Sequence, residues 1–150
     1  MNVITKTVDY LKASRQELKK VVWPSRKEVI QHTILVIAVS LGVAFFLGGI
    51  DNPVHHSVYE LFAAIVVSLI ATILKFGDRT HLGAVLLATS LVADLQLITA
   101  AVVWTVAEHV THTGLTPYIM TIIVSLSGGA LLANITSVVL LVAETIAVRR

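Results

Sequence analysis

The chain has 150 residues, a size that suits one soluble domain, but 13% charged residues and a mean hydropathy of +0.87 exclude an ordinary soluble domain and point to a membrane protein. A net charge of +2 is too small to argue for a nucleic-acid partner, and the complete lack of cysteine excludes disulfides, thiolate metal sites and a cysteine nucleophile. Seven of the eleven Lys and Arg residues precede Gln31, so the basic character is local rather than general.

The first element is a basic amphipathic helix. Ile4, Val8, Leu11, Leu18 and Val22 recur at spacings of three, four and seven on one face, with Lys12, Arg15, Lys19 and Lys20 on the remainder. An apolar face flanked by cations suits a helix lying on anionic lipid, where each basic residue contributes about 1 kcal/mol. The same stretch also reads as a helix packed on a soluble partner, or as a frayed basic tail. The pair Trp23-Pro24 then breaks the helix, with the indole placed for the headgroup region. Ser25 and Glu28 have capping-box spacing, so a new helix is expected just after Pro24. Charge continues to Glu28, and the apolar run beyond it ends in Gly48-Gly49-Ile50-Asp51 without a small-x-small cleavage site. It reads as a retained anchor rather than a signal peptide.

Four apolar runs are expected to span the membrane: Thr33 to Ile50, Leu61 to Leu74, Leu82 to Ala107 and Pro117 to Ala143. The second is short. It reaches spanning length only by including Val54 to Tyr59, and a re-entrant segment is its alternative. Gly48-Gly49 suits the end of the first span, Asn52-Pro53 the start of the second, Gly77 its end, and Thr116-Pro117 the start of the fourth. The basic N-terminal segment, the loop Lys75 to Arg79 and Arg149-Arg150 alternate with two connections that hold no Lys or Arg, Asp51 to Tyr59 and Glu108 to Thr116. Positive charge is retained on the cytoplasmic side, so both termini are expected there. The expected fold class is all-α and integral to the membrane: an N-terminal cytoplasmic amphipathic surface helix followed by four transmembrane helices.

Residues Glu17-Leu18-Lys19-Lys20-Val21-Val22-Trp23-Pro24-Ser25, with Lys27-Glu28-Val29, Phe45-Phe46-Leu47 and Ile50-Asp51, resemble SecE, the small subunit of the bacterial SecYEG protein-translocation channel. The resemblance implies a structural subunit that clamps the channel subunit SecY and is not an enzyme. It further implies SecG, the motor SecA and the ribosome as partners. It places Leu18, Lys19, Lys20, Val22, Trp23 and Pro24 at the partner and membrane interface, and implies the bacterial inner membrane as location, with no cofactor. Minimal members of that family end soon after the position of Asp51, and longer members carry extra spans before the shared segment. The residues beyond, including Tyr59-Glu60-Leu61-Phe62-Ala63-Ala64 and Leu74-Lys75-Phe76-Gly77-Asp78-Arg79-Thr80, resemble a family of small uncharacterised bacterial membrane proteins. Two portions are therefore expected, residues 1–51 and a three-span portion of unknown function, residues 52–150.

Asp94 falls near the middle of the third span, where a carboxylate costs about 2.5–3.5 kcal/mol on insertion scales. Asn134 falls near the middle of the fourth, at a depth where the two can meet. They mark either an interhelical hydrogen bond or the polar centre of a transport or channel accessory. Ala64, Ser68 and Thr72 in the second span, and Ser125, Gly129, Ala133 and Ser137 in the fourth, recur every four residues and permit close helix approach. His55, His56, His109 and His112 fall on the outer side with Asp51, Glu60 and Glu108. His109 and His112 share a face if the helix continues that far. Such groups suit Zn²⁺, Ni²⁺ or Cu²⁺, or a pH sensor, but they also read as solvated loop residues without a binding motif. No nucleophile elbow, phosphate loop or H-E-x-x-H is present.

Overall fold

The computed structural model describes the backbone of residues 3–20, 25–77 and 79–148, and side-chain surroundings over 6–16, 25–77 and 79–147. Among the described residues all regular structure is helical: α1 Val3–Lys20, α2 Arg26–Phe46, α3 Val58–Lys75, α4 His81–Thr105 and α5 Pro117–Val148. The last four are each long and apolar enough to cross a membrane. At 1.5 Å per residue even the 18-residue α3 is about 27 Å long, close to the roughly 30 Å hydrocarbon thickness.

The helix boundaries follow local chemistry. At the start of α2, Glu28 N donates to Ser25 Oγ (3.3 Å) and Ser25 N donates to Glu28 Oε2 (2.6 Å), the reciprocal capping box expected there. The charged turn after Ser25 is itself helical, so α2 begins seven residues before Thr33. Its last cap is Leu47, whose N–H reaches Val43 O just before the glycine pair.

The start of the second span differs from expectation. Asn52 Oδ1 accepts from Val54 N (3.0 Å), but it caps only a single 3-10 turn, Pro53–His55. Ser57 is the cap of α3, accepting from Tyr59 N, so residues 54–57 do not lengthen the helix. Gly77 ends the α3 segment in the left-handed region (φ +94°), where glycine alone pays no Cβ penalty. Thr80 Oγ1 accepts from Gly83 N at the head of α4, and Thr116 Oγ1 accepts from Ile119 N at the head of α5.

The four long helices close into a ring: α2 packs on α3 and α5, and α4 packs on the same two. Their core is divided in two. One apolar cluster contains Phe45, Leu61, Ala64, Ala93, Leu97, Trp104, Met120, Ile123 and Val124, among others. A smaller one, Leu35, Ala71, Leu86 and Leu141, lies toward the opposite end of the bundle. Val8, Tyr10 and Leu11 on α1 are all exposed, so its apolar face is uncovered over the residues described.

Small residues set the approach of α5 to its neighbours. A Cβ placed on Gly128 would sit 2.8 Å from the Phe46 ring of α2, and one on Gly42 of α2 would sit 3.2 Å from Leu131 of α5. Gly129 faces Gln96 of α4 in the same way, with Gln96 Nε2 only 2.6 Å from the position of a Cβ. Of the expected small-residue stripes, Ala64, Ser68 and Thr72 of α3 are buried, whereas in α5 Ser137 is buried, Gly129 and Ala133 are half-buried and Ser125 is exposed.

Candidate functional site

Between the two apolar clusters lies a layer of buried polar groups drawn from α3, α4 and α5. Ser68 Oγ donates to Asp94 Oδ1 and Thr72 Oγ1 donates to Asp94 Oδ2, both at 2.6 Å. One turn further along α3, the Lys75 ammonium donates to Ser90 Oγ and, at 3.2 Å, to Ser137 Oγ. Thr89 Oγ1 and Ser137 Oγ share a further bond of 2.7 Å. Lys75 is 2% exposed and Asp94 5%, so an acid and a base are both enclosed within the bundle.

The helical repeat explains why these groups converge. Ser68, Thr72 and Lys75 follow at four and three residues and share one face of α3; Ser90 and Asp94 are one turn apart on α4. Both carboxylate oxygens receive a charge-assisted bond from α3, typically worth about 1.5–3 kcal/mol. Such bonds offset part of the desolvation that makes an intramembrane carboxylate expensive.

Lys75 departs from expectation. Sequence placed it in the basic loop with Arg79, but it is the final residue of α3 and turns inward to the hydroxyls. The signal was present, since Lys75 continues the Ser68–Thr72 stripe by three residues. Asn134 is buried on α5, yet among the described residues the carboxylate of Asp94 is bonded from α3 rather than from Asn134. Gln96 was overlooked altogether: its side chain lies against Gly129, and its Oε1 is buried without a hydrogen-bond partner.

At one end of the bundle a cavity of about 290 Å³ is lined by Lys27 and Gln31 of α2, Leu74 and Lys75 of α3, Arg79 of the following loop, and Leu86 of α4. Lys27 and Arg79 are exposed, while Lys75 forms the buried side of the cavity next to the polar layer.

The histidines of the α2–α3 and α4–α5 connections divide by role. His56 is buried, not solvated; its Nδ1 lies 2.7 Å from Phe45 O, its Nε2 3.1 Å from Gly49 O, and its ring packs on Phe45 at 5.2 Å. It ties the end of α2 to the segment entering α3. His55 Nδ1 accepts from Gly49 N at 3.1 Å. His109 lies in a π-helical turn, Val106–Val110, that extends α4. His112 follows with φ +51°, outside that turn, so the two do not share a helix face. Among the described residues no group of three or more His, Asp and Glu side chains is placed to hold a metal ion.

Of the expected interface residues, Leu18, Lys19 and Lys20 lie in the last turn of α1, with side chains outside the described set; Val22, Trp23 and Pro24 lie outside the described residues.

Comparison with known proteins matches these elements to two families. The family model described as SecE/Sec61-gamma subunits of protein translocation complex matches residues 8–63, and that of a family of unknown function (DUF6394) matches residues 55–145. Protein translocase subunit SecE of Vibrio alginolyticus is 50% identical over 45 residues, 30% of this chain and 36% of the relative. SecE of Pseudomonas aeruginosa is 51% identical over 41 residues, 27% of this chain and 34% of the relative. SecE of Aquifex aeolicus is 48% identical over 46 residues, 31% of this chain and 71% of the relative. The chain therefore spans about a third of the length of the Vibrio and Pseudomonas relatives. No solved structure matches the chain.

Proposed function

Because the chain belongs to the SecE family through its N-terminal segment and to a family of unknown function through residues 55–145, we propose that it is a structural, non-enzymatic subunit of the bacterial translocase that clamps SecY. Residues 1–51 supply the SecE-like portion and residues 52–150 a three-span portion that accompanies it. The protein crosses the inner membrane four times with both termini in the cytoplasm. That orientation is supported by the basic residues at the head of α2, in the α3–α4 connection and at the C-terminus. α1 rests on anionic lipid, and Leu18, Lys19, Lys20, Val22, Trp23 and Pro24 form the contact with lipid and channel. SecG, SecA and the ribosome are the neighbouring partners.

The observation that carries this reading is the position of α2. It starts at the Ser25 capping box, and only three of its residues, Leu35, Ala38 and Phe45, are buried by the rest of the chain, against six in α3 and eight in α4. Val29, Ile30, Val36 and Ile37 remain exposed for another helix to cover. Photo-crosslinkers at Trp23 and Val36 are expected to capture SecY, and the protein to co-purify with it. Absence of both, together with failure to sustain growth of a SecE-depleted strain, would refute the assignment.

A second reading, a transport or channel accessory, is favoured by the enclosed Asp94 and Lys75 alone. It predicts that Asp94→Asn abolishes an ion- or substrate-dependent phenotype while the protein still inserts; an unchanged phenotype rules it out.

A further inference from the structure

We propose that the cavity at the Lys27–Arg79 end of the bundle is a binding site for a phosphate-class oxyanion, either free phosphate or the headgroup of an anionic lipid. This inference is independent of the translocase reading, since it rests on side chains from α2, α3 and the α3–α4 connection. Three cations from three separate elements, Lys27, Lys75 and Arg79, line one space, with the amide of Gln31 as a further donor. The volume of about 290 Å³ is at the small end of ligand pockets, roughly 300–1,000 Å³, and suits a phosphate with its water better than a large organic molecule.

Among the described residues, the two nearby carboxylates have hydrogen-bond donors of their own. Glu28 takes the backbone N–H of Ser25, and Asp94 takes Ser68 and Thr72. The Lys75 ammonium is held by hydroxyls of Ser90 and Ser137, which take two of its three hydrogens without cancelling its charge. Three cations line the cavity and none of its described lining residues is acidic, so the potential there is net positive, and the low-dielectric walls, Leu74 and Leu86, strengthen it. An exposed guanidinium at the mouth can grip two oxygens of one phosphate, while Lys27 and Lys75 act as point charges. A basic pocket between spanning helices at the headgroup level is the geometry that selects anionic lipid.

The test uses the full-length protein in nanodiscs. In one arm the bilayer is phosphatidylcholine alone, and inorganic phosphate is titrated against chloride at matched ionic strength. In the other arm phosphatidylglycerol replaces part of the phosphatidylcholine without added phosphate. Thermal unfolding midpoints are read in both arms, with lipid retention by native mass spectrometry. The midpoint is expected to rise in a saturable way. A rise with phosphate in neutral bilayers identifies a free anion; a rise confined to phosphatidylglycerol identifies a headgroup. Lys27→Gln and Arg79→Gln, both at exposed positions, are each expected to weaken the effect, and together at least tenfold, whereas Arg26→Gln, adjacent but outside the cavity, leaves it intact. No saturable rise in either arm would overturn the proposal, as would equal weakening by Arg26→Gln, which would reduce the effect to general surface charge.

Discussion

Replacing Thr72 by Val keeps the shape of the side chain but removes the hydroxyl that donates to Asp94 Oδ2 at 2.6 Å. It also removes the second contact of that hydroxyl, 3.1 Å from Ser68 O, an oxygen that keeps its place in the helical ladder. One oxygen of a carboxylate that is 5% exposed then loses its donor. An unsatisfied buried acceptor costs about 1–3 kcal/mol, more when charged. An average interhelical hydrogen bond within a membrane is worth only about 0.6 kcal/mol. Thr72→Val is therefore expected to destabilise by about 2 kcal/mol. Thr99→Val is the control: its hydroxyl is exposed and bonds only Leu95 O of its own helix, so a change within about 0.5 kcal/mol is expected. Reversible unfolding by SDS in mixed micelles measures both. The mechanism is tested by repeating Thr72→Val in an Asp94→Leu background, where no carboxylate remains to be stranded and the cost should fall by at least 1 kcal/mol, well above the error of such cycles. If Thr72→Val costs no more than Thr99→Val, or costs the same in both backgrounds, the polar layer does not work as described.

Other expectations address the rest of the bundle. Gly128→Leu forces a side chain into the Phe46 ring and should cost about 1–3 kcal/mol in the same unfolding assay, with Gly42→Ala milder because its contact is 3.2 Å rather than 2.8 Å. Ser25→Ala removes half of the capping box and should cost about 1 kcal/mol, read as lower stability and faster amide exchange in the first turn of α2. His56→Ala removes the ring held between Phe45 O and Gly49 O. It should raise protease cleavage between residues 47 and 57 several-fold, while Val54→Ala, at a residue 88% exposed, leaves cleavage unchanged.

The spanning helices were legible because long apolar runs admit little else in a bilayer, and Ser25, Gly77 and Thr116 punctuate them as local rules require. The start of α3 was misplaced because an Asx cap and a proline are equally at home in a single 3-10 turn, and nothing local says how many turns will follow. The polar layer was half visible. Asp94 is conspicuous in an apolar run, but Lys75 at a helix end reads by default as solvated, since a long side chain ordinarily extends outward to the interface. Here hydroxyls on two neighbouring helices outcompete that tendency, a tertiary fact with only a faint helical-spacing trace. His56 escaped for the same reason: its burial depends on where the chain after α2 folds back, not on its neighbours in sequence.

The glycine contacts between α2 and α5 bear on how such a chain tolerates change over generations. The helix inherited from one sequence family is seated in a groove cut by the other, with Phe46 against Gly128 and Leu131 against Gly42. A change at one of these positions asks its neighbour across the seam to shift. A bulkier residue on one side favours a smaller one opposite, so homologues carrying both segments should display paired size exchanges across this seam, an exchange that SecE proteins without the added spans have no partner residue to make.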